Sequence, residues 1–164
     1  EVQRSANAGD VERLERSLAD MKDRYGSTTY AAQSALLAAK VLDEKGKGAQ
    51  AKAALAWAAD KAPDDGLRAV ARLRLASLQT GDKAYDEALK TLSASFPADF
   101  VPLAADRRGD VLLLQGKRSE AATEFGKAYQ GLGSGRGDYR QLVAIKLNAL
   151  GIDPDAGAKP GAAS

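Results

Sequence analysis

The 164-residue sequence contains no cysteine and no histidine. Without cysteine the chain can form no disulfide and carries no thiolate nucleophile, although this leaves its cellular compartment open. Without histidine it lacks the commonest general base and the commonest metal-ligating side chain. Because no other constellation of residues replaces them, we expect no catalytic, metal-binding or cofactor-binding residues, and no enzyme.

Aromatic side chains and long apolar runs are also scarce. Only 5% of the residues are aromatic, and alanine is abundant, which favours closely packed helices over a sandwich of sheets. No run of about 18 apolar residues occurs, so no stretch of this sequence is predicted to span a membrane. A net charge of +2 with 28% charged residues predicts a mixed polar surface rather than the basic face of a nucleic-acid-binding protein.

The residues that are present follow a pattern, which is clearest from 105 to 128. Gly109 and Ala121 are predicted to lie where two antiparallel helices cross closely, because a larger side chain would push the backbones apart. Gly116 is predicted to end the first helix, and Ser119 to open the second. The second helix then carries one apolar stripe, formed by Ala121, Phe125 and Ala128.

Two earlier copies of this pattern precede it. In each copy 12 residues separate the small residue of the first helix from the alanine of the second helix. The three pairs are Ala39 and Ala51, Ala76 and Ala88, and Gly109 and Ala121. Successive copies begin 37 and then 33 residues apart, and a period of about 34 is typical of the tetratricopeptide (TPR) repeat, which the pattern resembles.

The sequence therefore predicts an all-α, TPR-like solenoid of antiparallel helix pairs over residues 1–152, with seven or eight helices and a C-terminal capping helix. The predicted segments are a partial first pair at 1–26, repeats at about 29–63, 67–97 and 101–130, and the capping helix at 138–150. The partial pair suggests that its first helix begins before Glu1. Residues 153–164 lack bulky apolar side chains, so we expect a disordered tail.

Three local features have more than one interpretation. The glycine-rich stretch at 131–137 lacks the preceding strand that a dinucleotide-binding loop needs, so we interpret it as a flexible connection. Arg136-Gly137-Asp138 spells an adhesion tripeptide, but Asp138 is better explained as the N-cap of the last helix. Trp57 lies off the stripe of its helix; we expect it to pack toward the next repeat, and a partner-facing anchor is the alternative.

The first helices of stacked pairs line a concave surface in repeat proteins of this kind. Several residues on that face are leucines where a purely solvated face would be polar, which predicts a groove for an extended or helical polypeptide. The predicted partner-binding residues are Leu36, Lys40, Leu73, Leu103, Asp106 and Leu113. The alternative is that the terminal helix or a neighbouring helix covers these side chains.

Several short motifs resemble those of the YfgM-like ancillary subunits of the SecYEG translocon. The motifs are RLRLA at 72–76, DEALKTL at 86–92, ADRRGD at 105–110 and KLN at 146–148. The resemblance covers roughly residues 1–152, and the motifs of the third repeat and the closing helix are its most specific part.

The resemblance implies a non-enzymatic protein-interaction module, the periplasmic domain of a single-pass inner-membrane protein whose membrane helix would precede Glu1. Its implied partners are the SecYEG translocon, a membrane-anchored periplasmic chaperone of the prolyl-isomerase type, and newly exported polypeptides. A generic TPR scaffold or adaptor in another compartment remains the alternative. A helical-repeat RNA binder is disfavoured, because the predicted groove includes Asp106 and Asp110.

Overall fold

A computed structural model describes residues 1–133 and 136–156. Within these residues the chain forms nine α-helices and one 3-10 turn, and none of them forms a strand. Contacts divide the chain into two compact units, residues 1–97 and the residues from 98 onwards. The predicted all-α fold is confirmed, and the nine α-helices of the described residues exceed the expected seven or eight.

The first unit contains six helices. They are α1 (Val2–Ala8), α2 (Val11–Tyr25), α3 (Thr29–Glu44), α4 (Gly48–Lys61), α5 (Asp65–Gly81) and α6 (Tyr85–Leu92). Each helix packs against the next one along the chain, and α1 also contacts α3. Because the connections are short, neighbouring helices run antiparallel.

Side-chain caps place the helix starts in this unit. The Asp10 carboxylate accepts a hydrogen bond from the Arg13 amide, and the Thr28 hydroxyl accepts one from the Ala31 amide. Asp64 caps α5 in the same way, so α5 begins two residues earlier than predicted. The sequence predicted a loop through Gly66, but Asp65 and Gly66 already belong to the first turn of α5.

The core of the first unit consists of alanines and leucines. The small residues predicted to lie at the helix crossings are all at most 2% exposed; they are Ala39, Ala51, Ala76 and Ala88. Trp57 lies at the edge of this core, with the Lys22 ammonium 5.2 Å from its ring centroid. The ring thus packs toward α2, two helices earlier in the chain, whereas the sequence predicted packing toward the next repeat.

Helix α6 ends at Leu92, before the end of the predicted repeat at 67–97. The Arg72 guanidinium donates a hydrogen bond to the Ser95 carbonyl (2.7 Å) and lies 6.0 Å from the centre of the Phe96 ring. Serine is a weak helix former, so these contacts from α5 stabilise a non-helical path over the last residues of the unit.

The second unit contains a 3-10 turn (Ala98–Phe100), α7 (Val101–Leu114), α8 (Arg118–Leu132) and α9 (Gly137–Ala149). A methyl group added at Gly109 would lie 2.5 Å from the Phe125 ring, which confirms the predicted close approach of α7 and α8. Gly116 has a φ of 78°, a conformation that glycine adopts without strain. Helix α8 begins one residue before the predicted Ser119.

Two predictions for the C-terminal part were wrong in detail. Arg136 rather than Asp138 occupies the N-cap position of α9, and Asp138 lies in the first turn, where a negative charge complements the helix dipole. Residues 153–156, predicted to be disordered, form a turn in which Asp155 accepts a hydrogen bond from the Tyr129 hydroxyl (2.6 Å). Residues 134–135 of the glycine-rich stretch and residues 157–164 lie outside the described part of the chain.

Candidate partner-binding site

A hollow opens between α3 and α5, the first helices of two successive pairs in the first unit. It is lined by Ala39, Lys40, Asp43, Arg74 and Leu78 and has a volume of about 290 Å³. Pockets for drug-sized ligands span roughly 300–1,000 Å³. The α3–α5 hollow therefore fits a side chain of a bound polypeptide better than a whole cofactor.

The hollow combines apolar walls with exposed charges. Ala39 and Leu78 supply apolar surface, Lys40 and Arg74 supply two cations, and Asp43 supplies one carboxylate, so the lining has an excess of one positive charge. The Lys40 ammonium lies 3.9 Å from the Glu44 carboxylate, and both side chains are largely exposed, so this ion pair holds Lys40 only weakly. The Arg74 guanidinium forms no hydrogen bond or ion pair with another residue of the described part of the chain. Both cations can therefore turn toward a negatively charged group on a ligand.

The structure places the three predicted site residues of the first unit differently. Lys40 lines the α3–α5 hollow. Leu36 is buried in the core of the unit, and Leu73 on α5 is half-buried. The side chain of Lys40 is thus largely exposed at the hollow, that of Leu73 is partly exposed, and that of Leu36 belongs to the core.

In the second unit the predicted site residues differ widely in how far they are exposed. Leu113 is 38% exposed and Leu103 is half-buried. Asp106 is only 1% exposed, because α9 covers it. The predicted partner contact for Asp106 is therefore wrong in this structure, and the alternative in which the terminal helix covers this residue describes it correctly.

A polar cluster joins α7 to α9 around Asp106. The Lys146 ammonium donates hydrogen bonds to both Asp106 and Asp110 at 2.7 Å, and the Tyr139 hydroxyl donates to Asp106 at 2.5 Å. Lys146 also lies 5.1 Å from the centre of the Phe125 ring. The cluster neutralises a buried carboxylate, so it anchors the terminal helix rather than forming a reactive site.

Burial changes the pKa of two groups in this cluster, Asp110 and Tyr139. Burial raises the pKa of the Asp110 carboxyl, although the hydrogen bond from Lys146 opposes the shift. Burial and the neighbouring Asp106 carboxylate raise the pKa of the Tyr139 hydroxyl far above its usual range. Tyr139 therefore stays protonated and acts as a hydrogen-bond donor.

Sequence reasoning missed four of the residues that form the α3–α5 hollow and the polar cluster around Asp106. Arg74 and Leu78 line the hollow, and Tyr139 and Lys146 bind Asp106. The spacing contained a usable signal, because Tyr139 and Lys146 lie seven residues apart, on one side of a helix. It would have suggested a partner for the acidic residues of α7.

Among residues 1–133 and 136–156, no group of three or more acidic side chains could hold a metal ion. None of the described helices is long and apolar enough to cross a membrane.

Comparison with known proteins identifies relatives along most of the chain. A family model described as "Tetratricopeptide repeat-like domain" matches residues 1–152. A protein of Neisseria gonorrhoeae (strain ATCC 700825 / FA 1090) named "Ancillary SecYEG translocon subunit" is 29% identical over 149 residues, which is 91% of this chain and 71% of that protein. A protein of the same name from Escherichia coli (strain K12) is 36% identical over 97 residues, 59% of this chain and 47% of that protein.

These matches agree with the structure. The family match covers every described helix, and the two relatives share one name. The predicted resemblance to the YfgM-like ancillary subunits is confirmed by those names. The chain belongs to the family of tetratricopeptide repeat-like domains.

Proposed function

We propose that this chain is a non-enzymatic protein-interaction module of an ancillary translocon subunit. The α3–α5 hollow is the observation that carries this proposal, since it offers apolar surface and two available cations on the first-helix face. Family membership and the names of the two relatives support the same class of function. Helical repeats of this family use such faces to hold polypeptides.

In this proposal a partner segment places one apolar side chain against Ala39 and Leu78. A carboxylate on the same segment then pairs with Lys40 or Arg74. Burying a leucine-sized side chain contributes about 1.5–3 kcal/mol before the cost of association is subtracted. A contact of this size is weak, and a weak contact suits a module that releases its polypeptide.

We further propose that the module works at the periplasmic face of the inner membrane. Its partners there are the SecYEG translocon, a membrane-anchored chaperone of the prolyl-isomerase type, and exported polypeptides. The relatives' names support the translocon, and the sequence resemblance supports the other two. A TPR adaptor in another compartment is the competing function; fractionation of the full-length protein separates the two, because only the first requires the inner-membrane fraction.

The test is site-specific photo-crosslinking in cells with the full-length protein. A photoreactive residue replaces Lys40, and the matched control replaces Arg118, an exposed cation of α8. We expect translocon subunits, the chaperone or exported polypeptides to crosslink at position 40 and not at 118. Adding Arg74→Glu should reduce the yield at position 40, since the exposed side chain of Arg74 can change without disturbing the core.

Circular dichroism must show unchanged helicity for each variant. Equal crosslinking at positions 40 and 118 would place the interface elsewhere on the chain. Crosslinking at position 40 that yields only cytoplasmic proteins would support the competing adaptor function.

A further inference from the structure

A second pocket lies along α5, formed by the first two turns of this helix and by the segment that follows α6. Its volume is about 250 Å³, and its lining residues are Asp65, Arg68, Arg72, Ser95, Phe96 and Pro97. All of them belong to the first unit. Arg68 and Arg72 are four positions apart and so lie on one side of α5; this pocket is here called the two-arginine pocket. Among the described residues, none lines both this pocket and the α3–α5 hollow.

Arg72 is held in place at the wall of the two-arginine pocket. Its guanidinium donates a hydrogen bond to the Ser95 carbonyl at 2.7 Å and lies 6.0 Å from the centre of the Phe96 ring. This hydrogen bond uses one of the five N–H donors of a guanidinium. Because these contacts already order the side chain, Arg72 can donate to a ligand with little further loss of conformational entropy.

Arg68 carries a buried donor that lacks an acceptor. Its Nε atom is buried and has no hydrogen-bond partner among the described residues. Its terminal nitrogen lies 3.3 Å from the Asp65 carboxylate and 3.4 Å from the Pro63 carbonyl. The Asp65 side chain is 76% exposed, so this ion pair is weak. Unpaired buried donors are rare in folded proteins, and a small rotation of the guanidinium toward the pocket would let an incoming acceptor satisfy this one.

The charge of the two-arginine pocket favours a ligand with a single negative charge. Its lining contains two arginines and one aspartate, which leaves an excess of one positive charge. Outside the pocket Asp60 pairs with Lys61 at 2.9 Å. The pKa of the Asp60 carboxyl is lowered first by Lys61 and further by the two arginines, so their positive potential extends beyond the pocket. Guanidinium groups bind carboxylates through two parallel hydrogen bonds.

We propose that the two-arginine pocket binds a carboxylate group of a polypeptide, and that the adjoining apolar side chain packs against Phe96 and Pro97. The carboxylate comes from an acidic side chain or from a C-terminus, since both present the same planar group to the two arginines. Only the choice of a polypeptide rests on the proposed function; the charge and the donors do not depend on the α3–α5 hollow. One carboxylate and one small apolar group form few contacts, so the dissociation constant is on the order of 1 mM.

The first test is an NMR titration of the arginine Nε–H groups of the purified chain with short peptides. One peptide is acetylated and amidated and carries a glutamate beside a leucine, and a second has glutamine in place of that glutamate. A third is acetylated, ends in leucine with a free carboxylate, and has no acidic side chain. We expect the signals of Arg68 and Arg72 to shift and saturate with the first or the third peptide, and to stay unchanged with the second. The tighter of the two carboxylate peptides identifies the source of the carboxylate.

Variants then assign the binding to this pocket. Arg68→Gln should weaken the binding of the carboxylate peptide by a factor of about ten or more, the loss expected for a hydrogen bond to a charged group. Arg118→Gln, which changes an exposed arginine of α8, is the matched control and should bind like the unaltered chain. Circular dichroism must show unchanged helicity in both. A competition experiment needs no variant: sodium acetate should displace the peptide from the unaltered chain more effectively than sodium chloride of the same ionic strength.

The absence of saturable shifts at Arg68 and Arg72 with both carboxylate peptides would overturn the proposal. Equal binding of the glutamine peptide would overturn the role of the carboxylate, as would equal displacement by acetate and chloride. Tighter binding of inorganic phosphate than of either carboxylate peptide would assign the pocket to a different class of anion. Carboxylate binding in a protein that fails to crosslink polypeptides at position 40 would support this pocket and contradict only the proposed role of the α3–α5 hollow.

Discussion

At the scale of a single residue, Gly109 sets the distance between α7 and α8. A Cβ there would lie 2.5 Å from Cε1 of Phe125, and Phe125 is fully buried, so the ring has no free space. We predict that Gly109→Val destabilises the protein by about 3 kcal/mol, the upper part of the usual range for overpacking. Chemical denaturation measures this loss. Gly126→Ala is the control; a methyl group there meets nothing within 4 Å, so α8 should gain stability. Equal stability of Gly109→Val and the unaltered chain would contradict this packing.

Glu124 is a second residue with a measurable individual effect. Burial alone would raise the pKa of its carboxyl, but hydrogen bonds from Lys127 and Arg108 outweigh burial and lower the pKa below its ordinary value of 4.5. A carboxyl with a lowered folded-state pKa stabilises the protein above its unfolded-state pKa, and this stabilisation is lost as pH falls through the folded-state value.

We therefore predict that Glu124→Gln lowers the melting temperature at pH 7, and that the difference from the unaltered chain shrinks below about pH 4.5. Thermal melting followed by circular dichroism across that pH range provides the measurement. Glu120→Gln changes an exposed residue of the same helix and should show little difference at any pH. A Glu124→Gln difference that stays constant with pH would mean that the ion pairs contribute nothing.

At the scale of an element, the attachment of α9 to α7 depends on the ammonium group of Lys146. Lys146 neutralises Asp106, which is only 1% exposed, and removing one partner of a buried pair leaves an uncompensated charge. We predict that Lys146→Met destabilises the protein by about 3 kcal/mol, the low end for buried pairs because Lys146 is partly exposed. Lys40→Met, which removes a lysine from a pair whose two side chains are 68% and 60% exposed, should cost less than about 1 kcal/mol. Similar losses in both variants, measured by urea denaturation, would show that the cluster does not anchor α9.

The elements also show which features could be predicted from the sequence. The bounds of α2 and α3 follow from local signals, because Asp10 and Thr28 cap them and glycines lie at or near their ends. The end of α6 could not be predicted, because it depends on a contact from Arg72 on another helix. Of the residues predicted for a partner site, Lys40 lines the candidate hollow, but binding there stays a prediction. The burial of Asp106 by α9 could not be predicted, because it depends on side chains 33 and 40 residues away. Local chemistry determines the helices, and long-range contacts decide which face stays open.

At the scale of the whole molecule, the first unit contains both a continuous core and the α3–α5 hollow. The core cluster extends from Val2 to Ala71 and lies entirely within residues 1–97. A chain of about 100 residues, such as residues 1–97, can bury nearly two-thirds of the surface that it exposes when unfolded. Repeat proteins also tolerate the loss of neighbours, because each helix pair contacts only adjacent pairs.

We therefore predict that residues 1–97 fold as a separate chain, with cooperative melting and the helix content expected for α1 to α6. A shorter chain ending at Ala62 is the informative comparison, because it lacks α5 and exposes the side of α4 that packs against α5; it should melt at a lower temperature or without cooperativity. If the hollow is the binding site, a photoreactive residue at position 40 should crosslink the same polypeptides in the 1–97 chain as in the full-length protein. A folded 1–97 chain that crosslinks none of them would show that binding needs parts of the full-length protein outside residues 1–97.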